Sequence, residues 1–135
     1  MKRDLVSNIL AVESLRPAVH SADTNGQVVD LRGADSAMVA ITVGAIVGTA
    51  DGDDVIILQH SDEDDSGFAA VPAAEIQGET VSTPTANTEY QFGYLGGKRY
   101  VRVRIENGGS TSVAASALVI KGHLHARPDD LSIAS

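Results

Sequence analysis

Seven carboxylates, Asp51, Asp53, Asp54, Asp62, Glu63, Asp64 and Asp65, fall in one stretch that contains no Lys or Arg. Within it, Asp62-x-Asp64-x-Ser66-Gly67 reproduces the first half of a calcium loop, in which oxygen ligands alternate and a Gly permits the turn. The second half departs: Ala73 stands where a bidentate Glu should close the site, and no helical periodicity flanks the loop. The competing reading is a solvated acidic turn between two strands. His123-x-His125 places two imidazoles on one face of an extended segment, a spacing that suits zinc or nickel if His20 or His60 supplies a third ligand. Histidines in a polar tail also serve as exposed or interface-packed side chains. Ser, His and Asp are all present, but no Gly-x-Ser-x-Gly elbow or paired-carboxylate signature surrounds them. Leu95-Gly96-Gly97-Lys98-Arg99 lacks the upstream Gly and the Ser or Thr of a phosphate-binding loop. The chain has no Cys, which removes thiolate ligands, Cys nucleophiles and disulfides. The expectation is a protein that is not an enzyme and carries neither cofactor nor metal.

The basic residues carry a stronger pattern. Lys98, Arg99, Arg102 and Arg104 are four of the ten Lys and Arg, confined to seven positions with Tyr94 and Tyr100 alongside. Arg on phosphates with stacked Tyr is the chemistry of a nucleic-acid face. A formal net charge of -8 and only three Tyr oppose that. Arg and Tyr are also enriched in protein interface hot spots. The expectation is therefore a charge-complementary protein contact through Lys98, Arg99, Tyr100, Arg102 and Arg104, with no direct contact to nucleic acid or membrane. An acidic loop and a basic stripe on one molecule also suit head-to-tail or symmetric self-association.

The elements that must position these residues read as strands. Ala37, Val39, Ile41 and Val43 alternate with Ser36, Met38, Ala40 and Thr42, and Val101, Val103 and Ile105 alternate with Tyr100, Arg102 and Arg104. Val55-Ile56-Ile57-Leu58 is a continuous apolar run, expected to be buried on both faces. Residues 27–31, 68–71, 89–95 and 112–121 are further candidates. Asn25-Gly26, Asp51-Gly52-Asp53, Gly96-Gly97 and Asn107-Gly108-Gly109 supply turn residues that tolerate positive φ. Seven or eight short strands without helical periodicity predict an all-β domain, an antiparallel β-sandwich or jelly roll, over residues 18–122.

The 135 residues make one domain, with 43% hydrophobic and 21% charged residues excluding wholesale disorder. Aromatic residues are 4% and Trp is absent, so the core is aliphatic and calls for assembly with neighbours to complete it. Residues 1–17 are expected as an N-terminal arm, with Leu5, Ile9 and Val12 spaced for a short helix that Pro17 stops and Leu5 and Ile9 as contact residues. Residues 123–135 are expected as a C-terminal arm. Neither an export signal nor a membrane span is legible: the apolar stretch at Leu5–Val12 is broken by Ser7 and Asn8, and residues 37–50 are too short and too rich in Gly and Thr.

Tyr94-Leu95-Gly96-Gly97-Lys98-Arg99-Tyr100-Val101-Arg102-Val103 resembles a recurring element of small virion structural proteins of tailed bacteriophages. In that resemblance a Gly-x-x-x-x-Lys-Arg-Tyr-Val-Arg-Val strand follows an apolar strand, a Ser-Asp acidic turn, and a Phe-small-Val-Pro segment. The earlier parts here are Val55–Asp62, then Phe68-Ala69-Ala70-Val71-Pro72 and Glu75-Ile76-Gln77-Gly78, so the pattern spans roughly residues 28–122. The resemblance implies a capsid decoration or cement protein, made in the host cytoplasm and seated on the virion surface. It would bind the major capsid protein shell and neighbouring copies as a trimer or dimer, with no catalytic residues. A head–tail connector or tail component is the alternative within the same class. A soluble β-sandwich binding module for carbohydrate or a calcium-dependent ligand, built on the loops of residues 51–65, is the alternative outside it.

Overall fold

A computed structural model describes residues 3–109 and 111–125. Among the described residues eleven strands form two antiparallel sheets packed face to face as a β-sandwich. They are β1 (Leu10–His20), β2 (Thr24–Asn25), β3 (Val29–Asp30), β4 (Ala34–Val47), β5 (Val55–Ser61), β6 (Ala69–Ala70), β7 (Ile76–Gln77), β8 (Val81–Ser82), β9 (Thr88–Tyr94), β10 (Tyr100–Glu106) and β11 (Ser112–Leu124). A 3-10 turn, Ala73–Glu75, precedes β7. The first sheet runs β1-β11-β4-β9-β7, and the second runs β2-β10-β5-β6, with β3 also on β10 and β8 also on β5. Among the described residues no helix is long and apolar enough to cross a membrane.

Alternation decides what faces the interior. Val39, Ile41 and Val43 of β4, Val113, Ala115, Ala117 and Val119 of β11, and Val101, Val103 and Ile105 of β10 are all buried. With Leu15, Val29, Ile56, Leu58, Val81, Phe92 and Tyr94 they form one core that is almost wholly aliphatic, as composition required.

Several expectations about the elements change: the described residues hold eleven strands where seven or eight were expected, and Asn25 belongs to β2 rather than to a turn. The run Val55–Leu58 is not buried on both faces: Ile56 and Leu58 are buried while Val55 and Ile57 are only half-buried. An antiparallel sheet of a two-layer sandwich has one outward face, and β5 obeys that alternation despite its apolar residues. The segment expected as an arm ending at Pro17 instead becomes β1 from Leu10, pairing with β11 from Leu10↔Lys121 to His20↔Val113. The helical spacing of Leu5, Ile9 and Val12 yields to this pairing. Pro17 is accommodated because β1 is an edge strand whose register shifts between Leu15 and Ala18. At the other end, His123 and Leu124 still belong to β11, and residues 126–135 of the expected C-terminal arm lie outside the described residues.

Candidate functional site

The basic stripe lies on the outer face of the second sheet. Tyr100, Arg102 and Arg104 point away from the core between Val101, Val103 and Ile105, and face Ser61, Gln59 and Ile57 of β5 across the ladder. Most of its charge is neutralised within the molecule. Lys98 Nζ reaches Asp62 Oδ2 at 2.9 Å. Arg99 grips Asp30 with two hydrogen bonds, Nε to Oδ1 at 3.0 Å and Nη2 to Oδ2 at 2.8 Å, and lies over the Tyr100 ring. That bidentate grip holds the Asp30 carboxyl below its usual range. Arg104 bonds Asn25 at 2.6 Å and reaches Asp23 and Glu106, each at 3.3 Å.

Arg102 differs. No carboxylate lies within ion-pair distance of it among the described residues. Its Nε donates to Gln59 Oε1 at 2.8 Å, and the guanidinium sits 4.2 Å above the centre of the Phe68 ring. Partial burial, and secondarily the charge of Arg104, lower its pKa. Phe68 escapes sequence reasoning as a site residue, because nothing in its own segment shows that an Arg more than thirty positions away will stack on it.

The first sheet presents an outer face of opposite character. Inward Val39, Ile41, Ala117 and Val119 leave Met38 and Ala40 of β4, and Leu118 and Ile120 of β11, pointing outward. The ladders set Ala11 beside Ile120, Leu118 beside Ala40, and Gly93 beside Met38. Charges on this face stand at its sides, Glu13 opposite Leu118 and Glu89 opposite Thr42. The segment Asp4–Ile9 borders the same face, where Ile9, Met38, Gly93, Ile120 and Leu124 help line a groove of ≈ 980 Å³. Ile9 is half-buried there, whereas Leu5 is 63% exposed and Val6 78% exposed. The signal for this face was present in the sequence as the uncharged phase of residues 36–42, which reads as an ordinary solvent side.

The candidate metal sites do not assemble. The acidic stretch divides: Asp51, Asp53 and Asp54 lie before β5, and Asp62–Asp65 lie beyond its far end. Asp62 is engaged by Lys98, and the turn closes on Ser61, whose Oγ donates to the Ser66 carbonyl and accepts the Glu63 N–H. Asp54 is a buried structural acceptor, taking bonds from Asp51 N, Gly108 N and Thr111 Oγ1, each at 2.9 Å. His123 has a φ of 47°, so the two histidines do not share an extended face. Its Nδ1 pairs with Ser36 Oγ at 2.7 Å, while His125 Nε2 pairs with Asp35 at 2.8 Å. His60 turns into the core, its Nδ1 2.8 Å from Tyr94 Oη, which also accepts the Lys98 N–H. Lys121 is a buried cation whose Nζ donates to the Arg32 carbonyl at 3.2 Å, and burial lowers its pKa. Among the described residues no three His, Asp or Glu side chains gather where they could hold a metal ion.

The chain shows no match to a protein family, to a curated protein sequence or to a solved structure.

Proposed function

We propose that this chain is a non-enzymatic virion structural protein of a tailed bacteriophage, which decorates the capsid by binding the major capsid protein shell and neighbouring copies of itself. The resemblance of residues 28–122 to such proteins supplies the class. The observation that carries the reading is the outer face of the first sheet, where Ala11, Met38, Ala40, Leu118 and Ile120 make an uncharged strip. Apolar surface removed from water contributes about 25 cal/mol per Å², a gain that opposes the entropy lost when a small protein is immobilised on a larger body. Beside it, Leu5 and Val6 offer further exposed apolar surface. The net charge of -8 keeps such a face from gathering phosphate backbones instead of protein.

The test is cryo-electron microscopy of particles carrying the wild-type chain or the double variant Leu118→Lys, Ile120→Lys. Copies on a regular lattice over the shell, depleted in the variant, are the expected result. Density confined to one vertex or to the tail would replace decoration by the connector or tail role. Particles that carry no copies would remove the virion reading altogether.

A further inference from the structure

We propose that the outer face of β10, β5 and β6 is a two-fold self-association surface, in which Arg102 of each copy receives a carboxylate from the acidic turn Glu63–Asp65 of the other. This assigns the copy-to-copy contact of the reading above to one face. It is testable on the purified chain, so it can fail while attachment to a shell stands.

Arg102 is the one cation of the stripe that no described carboxylate neutralises. Its position is nevertheless fixed, by Gln59 on Nε and by the Phe68 ring beneath the guanidinium. Both terminal nitrogens are left for a bidentate partner, since no described hydrogen bond engages them. A partly buried guanidinium held in place, with its terminal nitrogens free of described partners, is pre-organised for an incoming carboxylate.

The complementary charge stands at the end of the same sheet. Beyond the end of β5, Glu63, Asp64 and Asp65 are exposed; none of them forms an ion pair among the described residues, although the charge of Asp64 is felt at Arg99. The Ser61–Ser66 hydrogen bond closes the turn between β5 and Phe68. Opposite charges on one sheet, Arg102 within it and the acidic turn at its end, are self-complementary under a two-fold axis, because each patch meets the other twice. Nucleic acid fits less well. The other cations of the stripe are already paired with Asp23, Asp30, Asp62 and Glu106, which leaves little unneutralised positive charge for a phosphate backbone.

The experiment is sedimentation equilibrium of the full chain at low and high salt, on wild type, on Arg102→Glu, on the turn variant Glu63→Lys, Asp64→Lys, Asp65→Lys, and on an equimolar mixture of the two variants. Wild type should dimerise, more weakly as salt rises. Each variant alone should lose at least about tenfold in affinity, since like charges then oppose each other at both contacts. The mixture should recover the dimer. In one contact the introduced glutamate meets the introduced lysines, and in the other the native Arg102 meets the native acidic turn. Near-UV circular dichroism checks folding, and Arg102→Gln, which keeps the stem over Phe68, replaces Arg102→Glu if that variant unfolds. A monomeric wild type, variants that associate like wild type, or a mixture no tighter than its components would overturn the proposal.

Discussion

Asp54 shows how one carboxylate can look functional and act structurally. It sits in an acidic run, yet its side chain is buried and its oxygens accept from two backbone N–H groups and a hydroxyl that tie the turn before β5 to the turn after β10. The Gly108 and Asp51 N–H groups, aided by Thr111, hold its carboxyl below the ordinary value of 3.8. A depressed carboxyl pKa stabilises the fold fully above the unfolded value, and that contribution is lost as pH falls through the folded value. Asp54→Asn presents one acceptor and one donor where only donors converge. It should cost about 2 kcal/mol at neutral pH, the scale of hydrogen bonds to a charged group. Thermal melts from neutral pH down to about pH 2 check this: the variant should melt lower at neutral pH and lose less as acid is added. A variant that tracks wild type throughout would show that the three bonds contribute nothing net.

At the scale of elements, β1 is the strand that joins the layers. It pairs with β11 in the first sheet, and at its irregular stretch the buried Ser14 reaches across to the second. Ser14 Oγ donates to the Gln27 carbonyl at 2.8 Å and accepts the Val103 N–H at 2.9 Å, while the Ser14 carbonyl accepts the Gln27 N–H. Gly26 completes the junction, since a Cβ there would lie 2.6 Å from the carbonyl oxygens of both Ser14 and Val103. Ser14→Ala should destabilise the domain by about 2–3 kcal/mol, because it leaves a buried N–H on β10 without its acceptor. Denaturant unfolding measures the loss, and amide exchange should show Val103 losing protection first; an unchanged midpoint would detach Ser14 from that role. This junction was not legible in the sequence, and the reason is physical. β4 and β10 announce themselves by strict alternation, but β1 carries Glu13, Arg16 and Pro17 on an edge where solvent tolerates them, so its pattern matches no period. The stripe was legible as a cluster for the same reason that β10 was. What separates Arg102 from its neighbours was not, because the acids that neutralise Lys98, Arg99 and Arg104 include Asp62, Asp30 and Asp23, 36, 69 and 81 residues away. Sequence shows where charges are grouped; only the ladder register shows which remain unspent.

The whole molecule has two outer sheet faces of different character, one with an uncharged strip and one with a charged stripe, and a thin aliphatic core between them. That division suits a protein that meets two kinds of neighbour, and it gives the segment of residues 3–9 a specific place. Hydrogen bonds from Ser7 N and Asn8 Nδ2 back to Asp4 curl the segment, which borders the groove beside Met38 and Ile120 with Leu5 and Val6 outermost. Its exposed apolar side chains contribute little to the core, whereas the next residues include Ser14 and the fully buried Leu15. Two truncations therefore separate folding from attachment. Removing residues 1–9 should leave the isolated domain's melting temperature within a few degrees of wild type; under the proposed capsid role it should also lower the heat tolerance of particles that carry the protein, because that role has the segment contribute contact with the shell. Removing residues 1–15 takes half of the edge strand together with the Ser14 junction, and should lower the melting temperature of the isolated domain outright. Calorimetry on the free chains and on the loaded particles reads both effects. Particles that melt alike with and without residues 1–9 would clear the segment of any part in attachment and leave the uncharged strip on β11 and β4 to account for it alone.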